Sequence, residues 1–435
     1  MVSTPMASQA SAPYPVVRMC FNIFLLLTLG SLTSFSIWSF KLRETFPSWT
    51  AHELQLVYSA GLFGAWSQPL GGLFYDNFGS RKTKMMGTTL VVLGFFCMSM
   101  CTQYLYTSPA LVAFLYFLEE QGAATLQVSI TCDAFKHFPS NSMGVTMGLC
   151  TFGFAASGFL WTAVLGVCSS LPLPAIFSIV GGSIVTCVLP QLLYSSRQTS
   201  LDEAPPKPSL AKYRKALLSR PFFVIWGVAV FLRSPTWLIF GLLKDRGMAA
   251  GINGVALVGA CLAVNTFVRL PMGWAWDFWS SRRPGVSLRK LLTGLTLLFG
   301  VGASLLVADA LKTNGALVWI GCLMCSSMFG CVAPLANVWV RDNFEPEVRG
   351  GVFGAHSISI SIGNLGITAL VGPSSTATSK DFLSMSVAIL VANVTLFAIL
   401  ALTSEKKAAD LTAPACLAPP CSHEQDVELH PNDKV

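Results

Sequence analysis

The sequence predicts an all-α membrane protein of twelve transmembrane helices, arranged as two pseudo-symmetric bundles of six. Three observations carry this. Charged residues make up 11% of the 435, while Ala, Val, Ile, Leu, Met, Phe, Trp, Tyr and Cys make up 53%. An ordinary soluble domain carries roughly 25% charged residues, so a soluble enzyme, a disordered chain and a nucleic-acid binder are all disfavoured. Apolar runs of spanning length recur along the chain, and a pair of motifs in the first half is echoed in the second.

A hydrocarbon core of ~30 Å takes about 20 residues of α-helix. Runs of that kind cover residues 18–40, 54–75, 84–106, 109–135, 143–166, 172–195, 221–243, 252–276, 287–308, 315–340, 350–373 and 381–403. The first is too long for the apolar stretch of a signal peptide, and no basic cluster precedes it, so it stays as span 1. Thr50 and Glu53, just before span 2, read as a capping box, in which each residue satisfies a free backbone donor of the other.

Basic residues orient the chain. With the amino terminus in the cytoplasm, 20 of the 28 Lys and Arg fall on the inner side, 6 fall outside and 2 lie within spans. That bias places both termini in the cytoplasm. The net charge of +7 is therefore a topology signal.

Domain boundaries follow. Residues 1–17 form a cytoplasmic tail, 18–195 the first bundle, 196–220 a polar, Pro-bearing linker, 221–403 the second bundle, and 404–435 a disordered cytoplasmic tail. Cys322 and Cys325 form a CxxC inside a long apolar run with no second Cys/His pair nearby, which reads as core packing.

The repeat is specific. Gly72-x-x-x-Asp76-x-x-Gly79-x-Arg81-Lys82 ends span 2, and Gly273-x-x-x-Asp277-x-x-Ser280-x-Arg282-Arg283 ends span 8. Likewise Phe138-x5-Gly144-x3-Gly148 after span 4 parallels Phe344-x5-Gly350-x3-Gly354 after span 10. Each motif falls at the same ordinal position in its half, as in a duplicated six-helix unit.

The doubled GxxxDxxGx[RK][RK] pattern resembles the signature of the major facilitator superfamily of secondary transporters, over residues 18 to 403. Two positions depart from it: Asn77 stands where that family usually has Arg, and Ser280 replaces the second Gly. "FPSNSMGVTMGLCTFGFAASGFL" (138–160) is similar to the nodulin-like branch, with Met143 in place of an Arg that the second half keeps as Arg349-Gly350. "VRLPMGWAWD" (268–277) resembles monocarboxylate porters, which place an Arg four residues before the motif Gly, as Arg269 and Gly273 stand here. Amino-acid transporters share parts of the same pattern.

The resemblance implies a conformational gate. Asp76 is expected to face the start of span 11 near Gly350, and Asp277 the start of span 5 near Gly144, because a helix N-terminus offers unpaired N–H groups to a carboxylate. Gly72, Gly79, Gly144, Gly273 and Gly350 would permit close approach, Arg81, Lys82, Arg282 and Arg283 would add ion pairs or only orient the chain, and Arg349 belongs to the same gate set.

Charges within spans need a reason, since each costs at least ~2.5–3.5 kcal/mol at mid-membrane. Glu119 and Glu120 in span 4, Arg233 in span 7 and Arg269 in span 8 are the candidates for substrate binding or coupling. A guanidinium on Arg233 or Arg269 can hold a substrate carboxylate with two parallel donors, and one glutamate can carry a proton or meet a substrate amine. Glu119 and Glu120 point about 100° apart, so at most one faces the cavity. Structural Glu–Arg pairs are the alternative.

These residues lead to a transporter of a small organic solute, carboxylate-bearing as in a monocarboxylate or amino acid, working by alternating access. A non-transporting receptor on the same fold is the alternative. No HExxH, GxSxG or nucleotide loop occurs, so no catalytic residue, metal or cofactor is expected. The expected partners are the substrate, a coupled proton if transport is secondary active rather than facilitative, and the bilayer of the plasma membrane or an organelle, with the protein a monomer that binds no nucleic acid.

Overall fold

The computed structural model describes residues 14–30, 35–104, 107–167, 170–195, 207–283, 287–312, 314–371 and 379–402. The expected tails and the start of the linker, residues 196–206, lie wholly or largely outside these. Among the described residues every assigned element is a helix. The first half holds α1 (Tyr14–Thr28), α2 (Phe35–Thr45), α3 (Ala51–Trp66), α4 (Pro69–Gln103), α5 (Pro109–His137), α6 (Met143–Val167) and α7 (Leu173–Ser195). A short α8 (Leu210–Leu217) lies in the linker. The second half holds α9 (Arg220–Val228), α10 (Ser234–Ala249), α11 (Gly254–Phe267), α12 (Arg269–Arg282), α13 (Leu288–Lys312), α14 (Gly315–Asn343), α15 (Arg349–Val371) and α16 (Ser379–Leu402).

Among the described residues three of the spans, 2, 7 and 8, are assembled from more than one helix, and the sequence supplies the breaks. Span 2 is α3 followed by the start of α4, interrupted where Pro69 opens α4 without an N–H to donate. The same helix then contains Gly79 at φ 76°, a left-handed conformation that suits glycine, and there span 2 turns into span 3. The run His52–Gln103 is 52 residues long. At 1.5 Å per residue that is about 78 Å, more than two crossings, so the turn at Gly79 is required. Its counterpart Ser280 stays helical within α12, which ends at Arg282, so the second half needs no glycine there.

Span 8 breaks between α11 and α12, ahead of Pro271. Span 7 joins α9 to α10 through a π-helical segment, Ala229–Arg233. Pro235 lacks the N–H that the Phe231 carbonyl would accept, and Ser234 N–H reaches back five residues to Ala229. Ser234 Oγ lies 2.8 Å from the Ile360 carbonyl of α15, anchoring the widened turn.

Six stretches among the described residues are by themselves long and apolar enough to cross a membrane. α5 and α15 are not among them. Their polar side chains, such as Glu119, Glu120, Asp133, His356 and Asn364, are buried between helices and so escape lipid. The capping box forms as expected: Thr50 N–H donates to Glu53 Oε2 at 2.7 Å, and Glu53 N–H donates to Thr50 Oγ1 at 3.3 Å. Cys322 and Cys325 are buried free thiols on α14.

Within the first half α4 and α5 pack along each other, with α3 and α7 beside them; in the second, α13 joins α14 and α16. The halves meet along two seams, α6 against α12 and α14, and α15 against α4 and α3. These seams hold the candidate gate and the central cavity.

Candidate transport site and gate

Both motif aspartates cap a helix of the opposite half. Asp76 at the turn in α4 accepts from Gly350 N at 2.9 Å and Gly351 N at 2.7 Å, at the start of α15. Asp277 in α12 accepts from Gly144 N and Val145 N, each at 2.7 Å, at the start of α6. Each carboxylate thus satisfies two of the free donors at a helix N-terminus and lies at its positive end. The approach is close enough that only glycine fits. A Cβ on Gly72 would run into the Gly350 carbonyl, and one on Gly273 into the Gly144 carbonyl. A Cβ on Gly354 would stand 2.6 Å from the Gln68 carbonyl oxygen.

The basic residues of the motifs sit differently. Arg81, Lys82, Arg282 and Arg283 are exposed, and among the described residues none pairs with a carboxylate. Lys82 and Arg282 lie over the Phe78 and Phe278 rings, with Arg282 Cζ 4.2 Å from the ring centroid. Arg349 Nε donates to the Phe344 carbonyl at 2.9 Å, bracing the loop before α15. Other groups cross between the halves: Arg341 donates to Ser140 Oγ at 2.7 Å. From α8, Lys212 pairs with Glu347 and Glu345, and Tyr213 Oη donates to Asp76 Oδ2 at 2.9 Å. The bond to Glu347 raises the Lys212 pKa, and burial with the nearby Asp76 charge pushes the Tyr213 phenol well up, so Tyr213 remains a donor.

Behind the Asp76 gate a buried cluster pins α1, α4 and α5 together. Asp133, 2% exposed, accepts from Arg18 and Lys84 at 2.9 Å each, from Ser80 at 2.6 Å and from Tyr75 at 3.2 Å. Two cations and two hydroxyls saturate a carboxylate that would otherwise be too expensive to bury. Lys84 reads in sequence as a loop cation that orients the chain. In the fold it faces Asp133.

The central cavity lies where the halves meet, a space of about 40 Å³, wide enough for water molecules but too small for a metabolite in this state. Arg233 and Arg269 line it, with Trp66, Trp237, Phe329 and Asn265 among their neighbours. Arg233 Cζ stands 5.3 Å from the Trp66 ring centroid and 5.8 Å from that of Phe329, which also lies 5.8 Å from Arg269 Cζ. Phe329 therefore lies against two buried guanidiniums that are charged at any physiological pH. The lining contains no Asp or Glu, and among the described residues neither arginine forms an ion pair.

The two arginines are engaged unequally. Arg269 donates to the Asn265 carbonyl at 3.0 Å, to Asn265 Oδ1 at 3.0 Å and, across the halves, to the Thr151 carbonyl of α6 at 2.8 Å. Beyond its ring contacts Arg233 makes one long polar contact, 3.4 Å to His356 Nε2, and its buried Nε has no hydrogen-bond partner among the described residues. The π-helical turn puts Arg233 at this point, a displacement signalled in the sequence only by Ser234-Pro235.

Glu119 and Glu120 are buried but do not line the cavity. Glu119 packs where a Cβ on Gly94 of α4 would come within 2.7 Å of its own Cβ, and Glu120 stands opposite Gly64 of α3. Gln127 of α5 and Ser357 of α15 do reach the lining, and Gln127 accepts from Gln68 at 3.0 Å. Trp237 meets Trp66 edge-on across the halves at 5.7 Å and Phe329 at 6.1 Å. Trp66 and Phe329 carry no sequence signal that separates them from lipid-facing aromatics.

Two six-helix halves, joined by paired aspartate caps and enclosing a shared cavity, define an integral multi-pass membrane protein of the transporter class. The chain belongs to the Major Facilitator Superfamily, whose family profile matches residues 18–368. Solved structures agree in fold. A bacterial homologue of the iron transporter ferroportin in an outward-facing state superposes with a TM-score of 0.67 at 14% identity, covering 88% of this chain and 98% of that one. The transporter FucP in its outward conformation gives 0.65 at 15% identity, covering 90% and 99%. The proton:xylose symporter XylE gives 0.66 at 12% identity, covering 89% and 96%. No curated protein matches in sequence.

Proposed function

We propose that the protein carries a small, carboxylate-bearing organic anion across a membrane by alternating access, with the gate aspartates on the cytoplasmic side. The observation that carries this is the charge of the cavity: two buried guanidiniums and no carboxylate in the lining. Such a cavity lacks its counter-ion, and an anion entering it replaces water with charge-assisted, bidentate donors. Arg233 is the primary clamp because its donors are nearly all unused, whereas Arg269 is held by Asn265 and Thr151. The aromatic walls fit the apolar remainder of the solute. A free amino acid is less well served, since its ammonium would meet two cations and no acid. Resemblance to nodulin-like and monocarboxylate porters leads to the same class.

The test is uptake of labelled monocarboxylates, dicarboxylates, amino acids and sugars into proteoliposomes. Carboxylates should be taken up. Arg233→Gln should raise the apparent KM about 10- to 100-fold, the equivalent of a lost charged hydrogen bond of ~1.5–3 kcal/mol. Unaltered carboxylate flux in Arg233→Gln and Arg269→Gln together would remove the clamp. Ligand binding without net movement would turn the reading to a receptor.

A further inference from the structure

His356 is wholly buried on α15, yet it is not in the cavity lining; its neighbour Arg233 is. The contact between them has a definite chemical sense. A guanidinium only donates, so at 3.4 Å the Nε2 of His356 is the acceptor and carries no proton. The ring is therefore neutral in this state, with its hydrogen on Nδ1. A proton on Nε2 would set two donors and two positive charges face to face in a dry interior.

We propose that His356 is the proton-carrying residue of the transport site, and that an anion bound to Arg233 is what allows it to be protonated. This rests on the anion reading above. A substrate carboxylate draws the guanidinium toward itself and cancels its charge. That frees the Nε2 lone pair, which takes one proton from water on the outer side. The new N–H then faces the carboxylate as a donor. On the inner side the proton returns to water, the anion leaves and Arg233 resumes its contact with Nε2. One anion and one proton cross together, and each site binds more tightly when the other is loaded, which is coupling in the thermodynamic sense.

Arg233 is the charged group that meets His356 among the described residues. Other ionisable groups on elements packed against α15 sit elsewhere. Asp76 and Tyr213 lie at its start, six residues or about 9 Å earlier. Glu119 and Glu120 pack against α4 and α3. Arg341 is at the gate end of α14.

The experiment compares wild type with His356→Gln, which keeps an acceptor at the ε position but cannot titrate. Labelled pyruvate and labelled succinate are the probes. Two modes are read in proteoliposomes: equilibrium exchange at equal pH, and accumulation driven by an acid exterior. Wild type should accumulate at least one probe several-fold above equilibrium, with one proton entering per carboxylate by pH-indicator dye. His356→Gln should lose the acid-driven accumulation and the proton entry that accompanies it, whatever its exchange rate; detectable exchange shows that the variant folds. His356→Asn, which shortens the side chain, serves if exchange fails. Acid-driven accumulation that survives in either folded variant, or a wild type that exchanges without responding to the gradient, overturns the assignment while leaving the anion site standing. A wild type that moves neither probe nor any carboxylate of the panel removes the anion reading, and the proton assignment with it.

Discussion

Tyr213, in the short helix between the halves, donates to the same Asp76 oxygen that caps Gly351 of α15. One carboxylate of the first half therefore joins the linker to the second half, and Lys212 beside it pairs with Glu345 and Glu347 in the loop before α15. Among the described residues Asp277 has no matching phenol, so the duplicated gate is asymmetric.

That asymmetry makes the linker a latch. Removing the hydroxyl in Tyr213→Phe deletes a bond present only while the Asp76 gate is shut. Bonds to charged groups are worth ~1.5–3 kcal/mol, so gate opening should be favoured about 10-fold or more. Spin-label distances between exposed positions 82 and 283 should show a larger long-distance population in the variant, with the fold unchanged. An unaltered distribution would rule out the latch.

The two aspartates should differ in magnitude. Asp76 is wholly buried with three donors, while Asp277 is 9% exposed with two. An Asn substitution turns one acceptor oxygen into a donor facing an N–H. Asp76→Asn should thus open the gate more than Asp277→Asn, each by ~1–3 kcal/mol. Cysteine accessibility along α6 and α15 orders the pair.

Steric closure has its own test. Gly72→Ala and Gly273→Ala place a methyl against a backbone carbonyl that cannot rotate away, so the helices must part. Overpacking of this kind costs about 1–3 kcal/mol or more. The expected result is normal insertion with uptake reduced tenfold or more and the gate ends farther apart by spin labelling.

Far from the gate, Arg246 of α10 pairs with Asp309 of α13, the two being 3% and 0% exposed in their side chains. Arg246→Met leaves Asp309 buried without its cation and should destabilise by about 3–5 kcal/mol. Adding Asp309→Leu should recover much of the loss, because an apolar pair no longer carries an unmet charge. Thermal unfolding in detergent reads both. A double variant no more stable than the single would show that the packing, and not the charge, is at stake.

The sequence by itself determined the class, the repeat and the two aspartates that cap helices of the opposite half. Spanning helices announce themselves because lipid cannot hydrogen-bond, which forces long apolar runs. Asp76 and Asp277 announce themselves because a backbone approach closer than a Cβ demands glycine at fixed spacing. What it left open were the partners of buried charge. Arg246 reads as an outer-loop cation and Lys84 as an inner-loop one, yet Asp309 and Asp133 bury them. Arg233 and Glu119 stand at similar depths in sequence, yet one lines the cavity and the other faces α4. Helical position fixes how deep a residue lies, while the direction of its side chain depends on π-turns, breaks and neighbours brought from more than 100 residues away. Only the packed tertiary structure decides that direction, because a buried charge is tolerated only where some other element supplies its counterpart.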